Sequence, residues 1–330
     1  MRPERTLHLH NGDAARAILE RSDAGGEHAV WAETLHDGPV RGREPRAVWR
    51  AERARFYEAL GPAPVAGESA EALLRRWDTS LTRAQDFDEV ILWLEHDLFD
   101  QLCLIHHLDH FARHPPGDKT LSLVCIGAFP GIDRFVGLGQ LDPAELASLL
   151  PERHEITGAE IALGQRAWAA FCADDPSGLA ALLHDDTSAL PFLGAALQRF
   201  LEEYPSTRSG VSRTERQVLD RLAKGSCTGA QLFRAGHDRE EAPYLGDLPF
   251  WWILRRLAGA EHPLVSIAGE AREPMAARMV ALTELGVRVQ RGDADAVASN
   301  GIDLWRGGVH LTGRERIWRW DAATRALVRN

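Results

Sequence analysis

The chain opens with short apolar runs that alternate with longer amphipathic stretches. Residues 7–10 predict a strand, and residues 14–21 a helix with Ala17 and Ile18 on one side. Residues 29–34 predict a second strand. Residues 45–60 and 69–85 have helical spacing, the latter opened by Ser69 as a cap with Glu68 and Glu71 beside it. Two nearly continuous apolar runs, 89–94 (EVILWL) and 121–126 (LSLVCI), flank a helical stretch at 98–113. Apolar strands separated by helices predict a parallel sheet covered on both faces. The expected fold class is therefore α/β, with a Rossmann-like sheet over residues 1–141.

Residues 142–204 read as helical. Asp142-Pro143 supplies an N-cap with proline at the first helical position, and Thr157 with Glu160 forms a capping box. Residues 205–210 (PSTRSG) read as a linker. Ser212 with Glu215 is a second capping box, Thr228 caps a short helix, and Asp247 caps a third over 248–258. Extended stretches follow at 262–267 and 279–289. Three helices and then a two-stranded ribbon is the winged-helix order. The expected organisation is an α/β domain (1–141), a helical extension packing on it (142–205) and a winged-helix-like domain (206–330).

Charge sharpens this division. The net charge is −10, yet residues 206–330 hold 19 Lys+Arg against 15 Asp+Glu and so carry +4, leaving −14 on residues 1–205. The first part repels nucleic acid on average, and the second permits it. Lys119 and Lys224 are the two lysines, so the positive charge is almost all arginine, spread along the whole chain as genomic base composition would spread it. Cys103, Cys125, Cys172 and Cys227 are far apart with no CxxC pair, which argues against a zinc ribbon or disulfide framework. No run reaches 18 apolar residues, and residues 1–5 lack a signal peptide's apolar stretch, so a cytoplasmic location without membrane contact is expected.

The candidate chemistry is positional. Ligands of open parallel sheets bind beyond the C-terminal ends of the strands. Strand ends here carry His10-Asn11-Gly12-Asp13, His36-Asp37-Gly38-Pro39, Glu95-His96-Asp97 and Phe129-Pro130-Gly131. One edge would then gather Asp13, Asp37, Glu95, Asp97 and Asp100 with His10, His36 and His96. Carboxylates so close raise one another's pKa, and a divalent cation (Mg²⁺, Mn²⁺ or Zn²⁺) resolves the conflict. Asp13, Glu95 and Asp97 are the expected metal ligands, and His36, His96 and Asp97 the expected catalytic groups. His10, Asn11, Gly12, Asp13, Asp37, Asp100 and Gln101 are the expected ligand contacts. Plainer roles stand beside these: Asp13 and Asp97 as helix caps, Gly12 as a turn, and Asp37-Gly38-Pro39 as a turn signal.

His106 and His110 share one face of helix 98–113, together with His107 and His114, but lack the glutamate of a zinc-protease motif, so they read as a solvated face. No GxxxxGK[ST] and no GxGxxG follows a strand. Gly137-Leu138-Gly139 is glycine-rich, but Asp142 opens the next helix and would repel phosphate. No serine sits in a GxSxG elbow, which disfavours a covalent hydrolase. The helix at 248–258 places Trp251, Trp252, Arg255 and Arg256 off its core face. Arg255 and Arg256 fit either nucleic-acid contact or packing on the first domain. Trp305, Trp318 and Trp320, with Gly307-Gly308, read as core and turn.

Taken together, His10-Asn11-Gly12-Asp13, Leu35-His36-Asp37-Gly38-Pro39, Glu95-His96-Asp97-Leu98-Phe99-Asp100-Gln101-Leu102, Phe129-Pro130-Gly131 and Gly137-Leu138-Gly139-Gln140-Leu141 resemble the bacterial domain-of-unknown-function 1835 family. Pro205-Ser206-Thr207-Arg208, Ser212-Arg213-Thr214-Glu215-Arg216 and Gly308-Val309-His310-Leu311 look like its longer members, so the resemblance covers nearly the whole chain. Ala14 departs from it, since relatives often carry serine there, which speaks against an essential hydroxyl. The resemblance implies no activity. The leading expectation is an α/β domain that binds, and hydrolyses or transfers, a small phosphorylated or nucleotide-like ligand with a divalent metal. The alternatives are a ligand-sensing regulator that binds DNA through residues 206–330 and a protein–protein adaptor. A homodimer is compatible with all three.

Overall fold

The structure, a computed structural model, describes residues 5–42, 45–61, 67–115, 117–270 and 272–329. The reading of residues 1–5 falls almost entirely outside them. The chain begins β1 (Thr6–His10), α1 (Asp13–Leu19), β2 (Glu27–Val30), a two-residue β3 (Gly38–Pro39), α2 (Arg46–Leu60) and α3 (Ala70–Thr82). It continues β4 (Glu89–Glu95), α4 (Leu98–Arg113), β5 (Thr120–Ile126), α5 (Pro143–Ala147) and β6 (His154–Glu155). Five strands form one sheet in the order β2-β1-β4-β5-β6; all neighbours are parallel except β6, which is antiparallel to β5.

The period-2 alternation of β4 shows why its apolar run is continuous. Val90, Leu92 and Leu94 join a core containing Leu73, Leu102 and Leu163, from α3, α4 and the later α6. Ile91 and Trp93 face the other way, into a cluster with Ala15 and Ile18 of α1, Leu138, and Leu146 of α5. The sheet is thus buried on both faces. The second predicted strand is shorter than expected: β2 ends at Val30, and the chain then turns through a loop to β3.

The middle of the chain is helical: α6 (Gly158–Phe171), α7 (Ser177–Ala181) and α8 (Leu193–Leu201). The capping boxes at Asp142 and Thr157 are both formed. Segment 205–210 is a tied turn. Ser206 N–H donates to Val211 O, Thr207 N–H donates to Trp320 O, and Gly210 adopts φ +69°.

Next come α9 (Arg213–Leu222), β7 (Cys227–Thr228), α10 (Gly229–His237), α11 (Asp247–Gly259), β8 (Val265–Ile267) and β9 (Met279–Leu282). The strands make an antiparallel sheet, β7-β9-β8. Two expectations are corrected here. The N-cap of α11 is Gly246, with Asp247 the first helical residue. The extended reading of 279–289 fails at Leu282, because Thr283 accepts from Gly286 N–H and opens α12 (Glu284–Arg291), which Gly292 ends in the left-handed conformation.

The chain closes with α13 (Ala296–Asn300), β10 (Ile302–Gly307), β11 (Val309–Gly313), β12 (Trp318–Asp321) and β13 (Ala326–Arg329). Residues Arg306 and Gly307 of β10 pair in parallel with Gly38 and Pro39 of β3, which stitches the end of the chain to the rim loop of the first sheet. Gly307 (φ +61°) and Gly308 abut the backbone oxygens of Phe171 and Cys172, where no side chain fits. Of the three tryptophans read as core, Trp320 is buried while Trp305 and Trp318 are half-buried.

Candidate functional site

β1 and β4 are central neighbours whose connections leave in opposite directions, toward β2 and toward β5. Such a switch point leaves a crevice at the carboxyl ends of the strands. Three carboxylates gather there. Glu95 ends β4, Asp97 caps α4, and Asp100 lies in the first turn of that helix. All three are buried, and each offers an oxygen within 4.8 Å of the other two.

The cluster is held by backbone and amide donors. Asn11, just beyond β1, donates from Nδ2 to Glu95 Oε1 at 3.2 Å and to both Asp100 oxygens at 2.8 and 2.9 Å. Glu95 N–H donates to Asp100 Oδ1 at 2.8 Å, and Asp100 N–H to Asp97 Oδ1 at 3.0 Å. Leu138 N–H donates to Glu95 Oε1 at 2.7 Å. Gly137 has φ +153°, and a Cβ there would overlap the Glu95 carboxylate. The glycine-rich segment 137–139 therefore seats a carboxylate, a role its sequence did not announce. Gln101 spends its Nε2 on Glu95 O at 2.8 Å.

What the cluster lacks is a cation. The other buried carboxylates have one: Glu33 pairs with Arg53 at 2.6 Å, Glu89 with Arg153 at 2.7 Å, and Glu203 and Glu240 with Arg199 at 2.7 Å. Glu215 pairs with Arg256 at 2.9 Å, Glu160 with His154 at 2.7 Å, and Asp109 with Arg113. Among the described residues, Glu95, Asp97 and Asp100 are the buried carboxylates with no basic partner. Burial pushes all three pKa values up. Asp97 rises to about 8, from desolvation and then the Glu95 charge, and Asp100 rises well above its ordinary value, with both neighbours adding to burial.

The other expected site residues divide. His96 is half-buried between Phe135 and Phe192, each ring centroid 6.0 Å away, and its Nδ1 has no partner. Burial lowers its pKa and favours the neutral imidazole. Gly12 is the N-cap of α1, beside Asn11. Asp13 is corrected: its side chain is 73% exposed and pairs with Arg16 one turn on, so Asp100 takes the place expected for it. His10 is corrected too. It alternates onto the sheet face, where its Nε2 lies 3.1 Å from His28 Nδ1 and its ring stacks on Trp93.

His36 is enclosed by Phe99 and Tyr244, and neither of its nitrogens has a partner. Burial lowers its pKa to about 4. Asp37 accepts from Arg306 Nη1 at 3.0 Å, a partner supplied by β10 that sequence spacing could not reveal. The expected solvated face of α4 is corrected: His106 and His107 are buried against Trp31, which stacks on His106 at 4.3 Å. On α11, Trp252 packs on Phe56 and Tyr57 of α2, and Arg256 is engaged by Glu215, while Arg255 stays exposed.

No family model and no curated protein matches the chain. No helix among the described residues is long and apolar enough to cross a membrane.

Proposed function

We propose that Glu95, Asp97 and Asp100 hold a divalent cation at the switch point of a Rossmann-like sheet, and that a small phosphorylated or nucleotide-like ligand is bound and hydrolysed or transferred there. The carrying observation is the buried carboxylate triad without a basic partner, in a chain that pairs its other buried carboxylates with arginine or histidine. Three ionised carboxylates in a desolvated crevice require either protons or a cation. Oxygen-only donors suit Mg²⁺ or Mn²⁺. When bound, the cation supplies electrostatic stabilisation to phosphoryl oxygens. Asn11 orients Glu95 and Asp100 by holding one oxygen of the first and both of the second. Leu138 N–H fixes Glu95 against rotation. His96, neutral and half-buried beside the triad in sequence, would accept the proton of an attacking water, and His36, fully enclosed in aromatic rings, is left a packing role.

The resemblance to the domain-of-unknown-function 1835 family belongs to this reading and adds no reaction to it. For residues 206–330 we propose a winged-helix-like unit that packs on the first domain. The order of α9 to α11 with the β7-β9-β8 sheet supports this, as does the seating of Trp252 on α2.

The test is calorimetric titration of the apo protein with Mn²⁺, followed by assay of phosphate release from a nucleotide panel. Wild type binds one ion, Asp100→Asn binds at least tenfold more weakly, and phosphate release follows occupancy. No saturable Mn²⁺ binding, or binding unchanged in Asp100→Asn, removes the proposal.

A further inference from the structure

A cavity lies away from the carboxylates, beside the C-terminal half of α4. It is about 620 Å³ in volume and is enclosed by α2, α3, α4 and α6. Its inner wall is aromatic: Trp49, Trp168 and the ring of His106. His106 lies at 5.0 Å from Trp168 and stands between Trp31 and Trp49, nearly parallel to both. Its mouth is basic, with Arg41, Arg46 and Arg113. A second cavity of about 750 Å³ shares Arg41, Gly42, Arg113 and Trp168 with it.

Two features of this wall are not explained by folding. First, Trp49 and Trp168 are only 2% and 4% exposed, yet neither indole N–H meets an acceptor among the described residues. A buried donor left unpaired opposes folding, and such donors are rare in native proteins. Second, the positive charge at the mouth is not fully neutralised. Arg41 pairs with Glu52 and Arg113 with Asp109, while Asp78 is shared between Arg46 and Arg50, so four guanidinium groups meet three carboxylates.

We propose that this cavity binds a planar aromatic or heteroaromatic anion, its ring against Trp49, Trp168 and His106 and its acidic group toward Arg41, Arg46 and Arg113. With Trp49, Trp168 and His106 only 2–4% exposed, a flat ligand ring meets them at their edges, and edge-to-face contact between aromatic rings is favourable. Ring or exocyclic acceptors on the ligand can take up the two indole N–H groups after small side-chain adjustments. An aromatic box can also attract a cation, but the excess guanidinium charge at the mouth disfavours one. The site depends on none of the residues assigned to the carboxylate triad.

The test uses the full chain and three probes in isothermal titration: quinoline-6-sulfonate, whose ring nitrogen can accept an indole N–H, the saturated decahydronaphthalene-2-sulfonate, and the cation 2-naphthylmethylammonium. Quinoline-6-sulfonate is expected to bind at one site, at least tenfold tighter than either of the others. Arg113→Gln, at a half-exposed position that leaves the core intact, weakens it about fivefold or more. Trp168→Phe keeps a ring, removes the N–H and weakens it by about fivefold. Asp97→Asn leaves it unchanged, which separates this site from the cation site. Equal affinity for the three probes, absence of binding, or binding indifferent to both Arg113→Gln and Trp168→Phe overturns the proposal.

Discussion

Asp97→Asn separates the two ways in which a buried carboxylate triad can be tolerated. Asparagine caps a helix as well as aspartate does, so the bond from Asp100 N–H is retained and the main change is one ionisable group. The folded pKa of Asp97 is raised to about 8 from an ordinary 3.8. A raised folded pKa contributes stability that is fully present below the unfolded value and is lost as pH rises through the folded one. Between about pH 4 and pH 8, metal-free wild type therefore weakens.

At about 1.4 kcal/mol per pH unit, the penalty on Asp97 reaches roughly 4 kcal/mol at pH 7 and under 2 kcal/mol at pH 5. Asp100 and Glu95 lose a like-charged neighbour in the variant, and so take over part of the ionisation. A net gain of about 2–4 kcal/mol at pH 7 remains, or roughly 4–8 °C in melting temperature for a chain of this size. In chelator, Asp97→Asn is thus expected to melt above wild type, with a gap that widens from pH 5 to pH 8. Saturating Mn²⁺ removes most of the gap: wild type gains about 2.7 kcal/mol at a hundredfold excess over Kd, and the variant gains little. Differential scanning fluorimetry at four pH values, with EDTA and with Mn²⁺, reads both effects. A variant no more stable than wild type in EDTA at any pH refutes the electrostatic reasoning. Equal Mn²⁺ gains refute the assignment of Asp97 as a ligand.

Two further outcomes follow from residues outside the triad. His8 and His10 are buried neutral beside His28, with pKa values lowered to about 4 and about 2, by burial and then by the neighbouring histidine. Their contribution is lost as pH falls below 6.5, so His10→Phe should narrow the loss of stability between pH 7 and pH 5 by about 2 kcal/mol in urea titrations; an unchanged acid limb counts against it. Arg306→Met leaves Asp37 without its cation and removes the bond to Glu203 O, and is expected to cost about 3–5 kcal/mol in the same assay. A loss under 1 kcal/mol would show that the β3–β10 contact is incidental.

The sequence carried what local physics decides. The apolar run of β4 and the cap at Asp97 located the strand end and the helix, and with them Glu95, Asp97 and Asp100. The caps at Asp142 and Thr228 and the capping boxes at Thr157 and Ser212 marked four helix starts. It failed where tertiary partners decide. Val287 and Val289 read as extended, although Thr283 caps a helix there. His106 read as solvated because Trp31, Trp49 and Trp168, which bury it, come from three distant segments. Asp13 and Asp100 both follow a strand end and are indistinguishable by spacing. Only the turn of α4, which brings its residue 100 beneath Asn11, selects the second.

The pairing of β3 with β10 has a consequence for how the molecule is made. Asp37 waits for a partner 269 positions later in the chain. At elongation rates of about 5–20 residues per second, that interval is on the order of tens of seconds. The first sheet can form early from neighbouring strands, and Arg53 can already hold the backbone oxygens of Thr34 and Asp37, but the Asp37 carboxylate has no cation until Arg306 has left the ribosome. A nascent chain that stalls in between would carry a nearly finished sheet with the Asp37 charge unpaired at its rim. The order of synthesis thus makes the neutralising of that loop a late step in building the molecule.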